Sequence, residues 1–317
     1  MIKLDLITGF LGAGKTTFIK SYAKYLMERG ERICIIENDF GAINVDIVLL
    51  KELESDKCNL EMIVGGDGVE AHKRRLKTKL ISMAMLGFER VIIEPSGAYD
   101  VDEFFDLVHE EPLDRWYEIG NVIALVSSKV SEELSEYSQY ILMSEIANAG
   151  AVVLSKVDEA SPEEIKSTIE YIKNLLDMFG CKNGLENKLL IDKDIRQDLS
   201  ALFKIVKCGY NINSYKKLVS STDVQYQTIF YFGYHNTKDG ITSLTKQIFK
   251  DQACGNIHRI KGIVRDDASK TEEYYELNAT SGDIRISDVS ADRSVLIIIG
   301  ENLSKEEISK YLGNPTL

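Results

Sequence analysis

Gly9-Phe10-Leu11-Gly12-Ala13-Gly14-Lys15-Thr16 satisfies G-x-x-x-x-G-K-[ST] at every fixed position. Glycines at this spacing let a backbone wrap with its N–H groups turned inward, a nest for anionic oxygens at the positive end of a helix. Lys15 can then reach β- and γ-phosphate oxygens, and the Thr16 hydroxyl is a hard ligand suited to Mg²⁺. Gly12, Ala13, Gly14, Lys15, Thr16 and Thr17 are the candidate phosphate contacts, with Lys15 also catalytic. A dinucleotide fingerprint does not fit, because Thr17 stands where its third glycine belongs.

Phosphate chemistry with Mg²⁺ also needs carboxylates. Glu94 follows the apolar run Val91-Ile92-Ile93 and precedes Pro95-Ser96-Gly97. From a strand end it can hold the ion or orient an attacking water, with the Gly97 N–H reading the γ-phosphate. Glu37-Asn38-Asp39-Phe40-Gly41 lies just past the second apolar run, Ile33-Cys34-Ile35-Ile36, so Glu37 and Asp39 are further metal candidates, Asp39 also catalytic. Ser155-Lys156-Val157-Asp158 suits a base. Asp158 can accept two hydrogen bonds from guanine, and the Lys156 stem can lie over the ring. Such loops usually read Asn-Lys-x-Asp; the serine at 155 removes an amide that braces neighbouring loops.

These groups need a scaffold. Apolar runs at 2–8, 33–36, 91–93, 122–126, 151–154 and 203–206 alternate with amphipathic stretches at 15–29, 70–86 and 162–179. Uniformly apolar short runs separated by helices predict a mostly parallel sheet covered on both faces, an α/β architecture. Ser161, Pro162 and Glu164 form a helix-start signature. Residues 181–200 read as a variable insertion, and 100–118, with eight acidic residues in nineteen, as an exposed loop or helix surface. Near 222 the pattern changes to aromatic, partly alternating strands at 225–234, 257–265, 273–279 and 294–299, with helices at 241–250 and 305–312. This predicts a domain over 1–221 and a small α+β domain over 222–317.

The chain has 317 residues, 44% hydrophobic and 28% charged, with a formal net charge of -12. That excludes a disordered chain and argues against nucleic acid or an anionic membrane as partner. The basic cluster Lys73, Arg74, Arg75, Lys77 and Lys79 reads as a solvated helix face. No apolar run is long enough to span a bilayer, and Asp5 sits where a secretory signal is apolar, so a cytoplasmic protein is expected. Five scattered cysteines without a C-x-x-C pair imply neither disulfides nor a sulfur-rich metal site.

Taken together, the run from Thr8 to Thr17, the Ile36–Gly41 segment with Val45-Asp46, the Ile93–Gly97 segment and Lys156-x-Asp158 resemble the CobW-like P-loop GTPases. Relatives of that family include metallochaperone-type GTPases for nickel and cobalt enzymes. His258–Gly262 and Arg293–Gly300 resemble the two anchor strands of its C-terminal domain. The resemblance implies a slow, Mg²⁺-dependent GTPase that cycles between GTP and GDP. It further implies a client protein, a metal- or cofactor-dependent enzyme, and is compatible with a nucleotide-dependent homodimer. Other uses of the same loop stay open: a small-molecule kinase, or a nucleotide-gated interaction module with negligible turnover. The family's C-x-C-C metal motif is missing. Asp67, Val69 and Glu70 stand about where its cysteines belong, and Ala42 replaces a glutamate, while Glu37 is kept. Oxygen ligands favour Mg²⁺ or Mn²⁺ over zinc, cobalt or nickel. The four histidines, His72, His109, His235 and His258, are too scattered to compensate, and Cys58 reads as a packing residue.

Overall fold

The computed structural model describes residues 1–38, 49–63, 69–97, 99–130, 134–191, 199–218, 226–269 and 272–316. The chain divides into two compact units, Met1–Leu218 and Val219–Leu317. In the first, strands β1 (Ile2–Gly9), β2 (Ile33–Asn38), β3 (Cys58–Ile63), β4 (Arg90–Pro95), β5 (Tyr117–Ser127), β6 (Ala151–Ser155) and β7 (Leu189–Ile191) form one sheet in the order β3-β2-β4-β1-β5-β6-β7. Every pairing in it is parallel. The helices of this unit are α1 (Lys15–Glu28), α2 (Val69–Ala84), α3 (Val101–Val108), α4 (Leu113–Trp116), α5 (Glu136–Asn148), α6 (Pro162–Met178) and α7 (Leu199–Ile205).

Side chains alternate across a strand, so each run serves both faces. Ile7, Ile33, Ile35, Ile92, Ile123, Leu125 and Val153 pack with Phe18, Ile19 and Tyr22 of α1 and with α7. On the opposite face, Cys34 meets Met83 of α2, with the two sulfurs 3.5 Å apart, and Thr8 meets α5. The predicted cap of α6 is present: Ser161 accepts from the Glu164 N–H while the Glu164 side chain accepts from Ser161.

Several expectations need correction. Residues 203–205 close α7 and Val206 lies just beyond it, so the run is not a strand; Ala201, Leu202 and Ile205 bury at helical spacing, and so short an apolar run does not separate the two periods. The stretch at 181–200 contains β7, which pairs with β6. Strand β3, absent from the sequence reading, is an edge whose middle residues are only partly buried, so it lacks the uniform apolar signal. The acidic stretch is not simply surface: Asp100 caps α3, while Phe104, Leu107, Leu113 and Tyr117 are buried. The basic cluster on α2 does lie at the surface: Arg74 and Arg75 are exposed, and the part-exposed Lys73 and Lys77 pair with Glu110 at 2.7 and 2.8 Å and Lys79 with Glu61 at 2.7 Å.

In the second unit, β8 (Tyr226–Phe232), β9 (His235–Asn236), β10 (Asn256–Asp266), β11 (Tyr274–Thr280), β12 (Asp283–Val289) and β13 (Val295–Glu301) build a six-stranded sheet. Its main path, β12-β11-β10-β13-β8, is antiparallel, and β9 adds a short parallel pairing to β10. Helices α8 (Lys238–Lys250) and α9 (Lys305–Leu312) contribute Ile241, Ile248, Ile308 and Leu312 to a core with Ile260, Tyr275, Leu277 and Ile298. Strand β12 was not expected; its partly exposed, polar composition is that of an edge. Among the described residues no helix is long and apolar enough to cross a membrane.

Candidate functional site

The phosphate-binding loop leaves β1 at Gly9 and enters α1 at Lys15. Gly12 and Gly14 take φ of 79° and 87°, a left-handed backbone that residues with a Cβ adopt only under strain. Gly14 is the N-cap of α1, with no side-chain cap, so the first N–H groups of the helix remain turned to the loop. Ala13 N–H donates to Phe10 O at 3.0 Å, closing the turn. Lys15 is buried, and its ammonium donates to Gly9 O at 2.8 Å, across the mouth of the loop. Thr17 is exposed on the first turn.

Parallel register brings the carboxylates here. Glu37 on β2 stands opposite Glu94 on β4, and both are buried. The Thr16 hydroxyl donates to Glu94 Oε1 at 3.1 Å. Gly97 comes down on the loop itself: a Cβ there would lie 2.6 Å from Leu11 Cδ2 and 2.9 Å from the Leu11 backbone nitrogen. The segment after Glu94 thus packs directly on the phosphate-binding loop.

At the end of β6, Ser155 does what its loss of an amide seemed to preclude. Its hydroxyl donates to Ala13 O at 2.7 Å, tying this strand end to the phosphate loop, so the expected loss of bracing is corrected. Lys156 follows with a left-handed φ of 57° and opens the short turn Val157–Glu159, in which Asp158 is exposed. Ser128 Oγ holds the Lys156 carbonyl at 2.9 Å, and Thr168 of α6 holds the Ser128 carbonyl at 2.8 Å. Neither Ser128 nor Thr168 carries a sequence signal; each is an ordinary polar residue made important by position.

Glu145 was also missed. It lies on α5, whose side chains from Tyr140 to Asn148 are all buried, and it is 0% exposed. Thr8 Oγ1 donates to its Oε1 at 2.9 Å and Gly9 N–H at 3.3 Å. Burial pushes its carboxyl up to about 8, against the pull of the Lys15 ammonium and of those two hydrogen bonds.

Asp39, Ala42 and Asp67 lie outside the described residues, as does the Glu70 side chain. Among the described residues no three His, Cys, Asp or Glu side chains gather into a cluster able to hold a metal. All five cysteines are free, and burial pushes the Cys58 thiol up to about 12, so it packs as a neutral thiol rather than offering a thiolate.

Residues 4–178, more than half of the chain, match the family described as CobW/HypB/UreG, nucleotide-binding domain. The zinc chaperone YjiA of Escherichia coli (strain K12) is 29% identical over 174 residues, 51% of this chain and 52% of YjiA. The zinc chaperone YeiR of the same organism is 26% identical over 164 residues, 51% of this chain and 49% of YeiR. The chain thus spans about half the length of the curated relatives it matches. Among solved structures, zinc-bound YjiA GTPase from E. coli aligns over 98% of this chain and 97% of that one, at 19% identity and a TM-score of 0.40. HypB from Helicobacter pylori in complex with nickel aligns over 65% of this chain and 84% of that one, at 18% identity and a TM-score of 0.40. By the match over residues 4–178, the chain belongs to the CobW/HypB/UreG family.

Proposed function

We propose that this protein is a Mg²⁺-dependent GTP-binding protein with slow GTPase activity, a cytoplasmic nucleotide switch that assists maturation or activation of a metal- or cofactor-dependent client enzyme. The observation that carries the reading is the convergence of Lys15, the Thr16–Glu94 hydrogen bond and Gly97 on one loop between parallel strand ends. The donors beside that loop, the Thr16 hydroxyl and the Glu94 and Glu37 carboxylates, are all hard oxygens, which fits Mg²⁺ and not a thiophilic ion. Thr16 and Glu94 would hold the ion, with Glu37 and Asp39 as further ligands. When bound, it supplies charge neutralisation on the β- and γ-phosphate oxygens.

The chain's own groups do the rest. Lys15 exchanges the Gly9 carbonyl for phosphate oxygens, and the loop N–H groups cradle them. Glu94 orients the attacking water, and the Gly97 N–H senses the γ-phosphate. Asp158 reads guanine. The last point is tested by competition calorimetry with Mg²⁺: GTP binds more tightly than ATP by at least about 1–3 kcal/mol, the worth of one bidentate base contact. Asp158→Ala reduces that difference toward zero while triphosphate binding persists. Equal affinities of the unaltered protein for the two nucleotides would overturn the guanine assignment.

YjiA and YeiR are named zinc chaperones. In this chain Asp67 and Glu70 stand where the family's cysteines belong, so we propose that a tight transition-metal site at that loop is lost. Elemental analysis after purification without chelator then finds no stoichiometric zinc, cobalt or nickel. One such ion per chain that survives dialysis, and that disappears in the Asp67→Ala, Glu70→Ala double variant, would show a rebuilt site instead.

A further inference from the structure

We propose that Glu145 is a positioning residue of the phosphate-binding loop and that, in alkaline solution, its carboxyl takes up a proton from solvent as a nucleoside triphosphate fills the loop; this rests on the nucleotide-binding reading above. Three observations converge on it. The side chain is completely buried on α5, yet among the described residues one of its oxygens, Oε2, has no hydrogen-bond partner. Its other oxygen holds the last two residues of β1, through the Thr8 hydroxyl and the Gly9 N–H. Gly9 is also the residue whose carbonyl takes the Lys15 ammonium, so Glu145 holds its N–H and Lys15 its C=O.

The charges around Glu145 decide its protonation. From α1 comes Lys15, which favours the carboxylate, and from the cap of α3 comes Asp100, which opposes it. β1 contributes only the neutral Thr8 hydroxyl and Gly9 N–H. The buried residues of α6 are Thr168, Ile172, Leu175 and Leu176, and those of α3 are Val101, Phe104, Leu107 and Val108. The stretch of β5 from Val122 to Val126 is apolar; α3 also carries Asp102 and α6 Tyr171, each with a buried side-chain oxygen, and neither is a cation. Among the described residues, Lys15 is therefore the cation that stabilises the ionised form. A triphosphate withdraws that support, because it attracts the ammonium to its own oxygens. It also places several negative charges beside an already desolvated carboxyl. Both effects favour the neutral acid. With the free carboxyl titrating at about 8, the complex binds more protons than the free protein above that pH.

The sign of the pH dependence follows. Below about pH 8 the carboxyl is neutral with or without nucleotide, and affinity is flat with respect to this group. Above it, binding includes proton uptake, and affinity falls by up to about tenfold per pH unit until the carboxyl of the complex ionises too.

The test is calorimetric titration of the intact chain with GMPPNP and Mg²⁺ at about pH 8.5, in two buffers of different ionisation enthalpy. About half a proton or more is taken up per nucleotide bound by the unaltered protein, and Glu145→Gln abolishes the uptake. The affinity of the unaltered protein declines several-fold as the pH is raised from about 7.5 to 9, whereas that of Glu145→Gln stays level. An infrared difference spectrum of the unaltered protein, with and without nucleotide, gains a protonated-carboxyl band, so the inference is testable even if the variant does not fold. Nucleotide binding without proton uptake, or with equal uptake in Glu145→Gln, overturns this inference alone. No binding at any pH overturns the nucleotide reading and this inference with it.

Discussion

Lys15→Ala abolishes measurable GTP hydrolysis and weakens triphosphate binding by at least about a hundredfold, within the 2–5 kcal/mol that losing one partner of a buried charged contact costs. The expectation rests on geometry as well as motif. The ammonium is buried at the mouth of the loop and already bonded to Gly9 O at 2.8 Å, so it exchanges one oxygen for another without a long search. Hydrolysis of GTP and binding of GMPPNP, measured on a variant whose circular dichroism and thermal midpoint match the unaltered protein, check the claim. Hydrolysis within a few-fold of the original rate would show that this loop is not where the triphosphate binds.

Asp5→Ala has the largest expected effect on stability, a loss of about 3–5 kcal/mol in urea unfolding. Asp5 is fully buried four residues before Gly9. It accepts from Tyr22 of α1 at 2.6 Å, from Arg90 of β4 at 2.7 Å and from the Asn121 N–H of β5 at 2.8 Å. Asn121 in turn receives the Gly209 N–H at 3.0 Å and donates to Val206 O at 3.2 Å. Removing the carboxylate leaves the Arg90 guanidinium buried, with the partly exposed Glu31 as its remaining anion among the described residues. The cost is mostly that of the stranded charge, so the double variant Asp5→Leu, Arg90→Met loses less than the two single losses added together. Additive losses would mean that the ion pair is not the coupling element.

The phosphate-binding loop was legible because all its chemistry is contiguous. A strand, three glycines, a lysine, a hydroxyl and a helix are set by local backbone rules and need no distant partner. Glu94 was legible for a related reason: an acid directly after a buried apolar run stands at a strand end, and parallel strands present their ends together. The short apolar run at 203–206 was misread because four residues do not reveal a period, and only the packing of Ala201, Leu202 and Ile205 shows a helix. Strands β3, β7 and β12 escaped because they are short or partly exposed, so hydrogen bonding to a neighbour defines them more than their own composition does.

By itself, then, the sequence determined the loop, the parallel α/β framework and the identity of the strand-end carboxylate, all matters of local geometry and periodicity. Tertiary structure decided which polar residues brace that loop. Ser155 reaches Ala13 across 142 positions, Glu145 reaches Thr8 across 137, and Asp5 reaches Asn121 across 116. None of these side chains is unusual where it stands in the chain. Each acquires its role from burial, which removes water as a competitor and makes a single hydrogen bond or charge decisive.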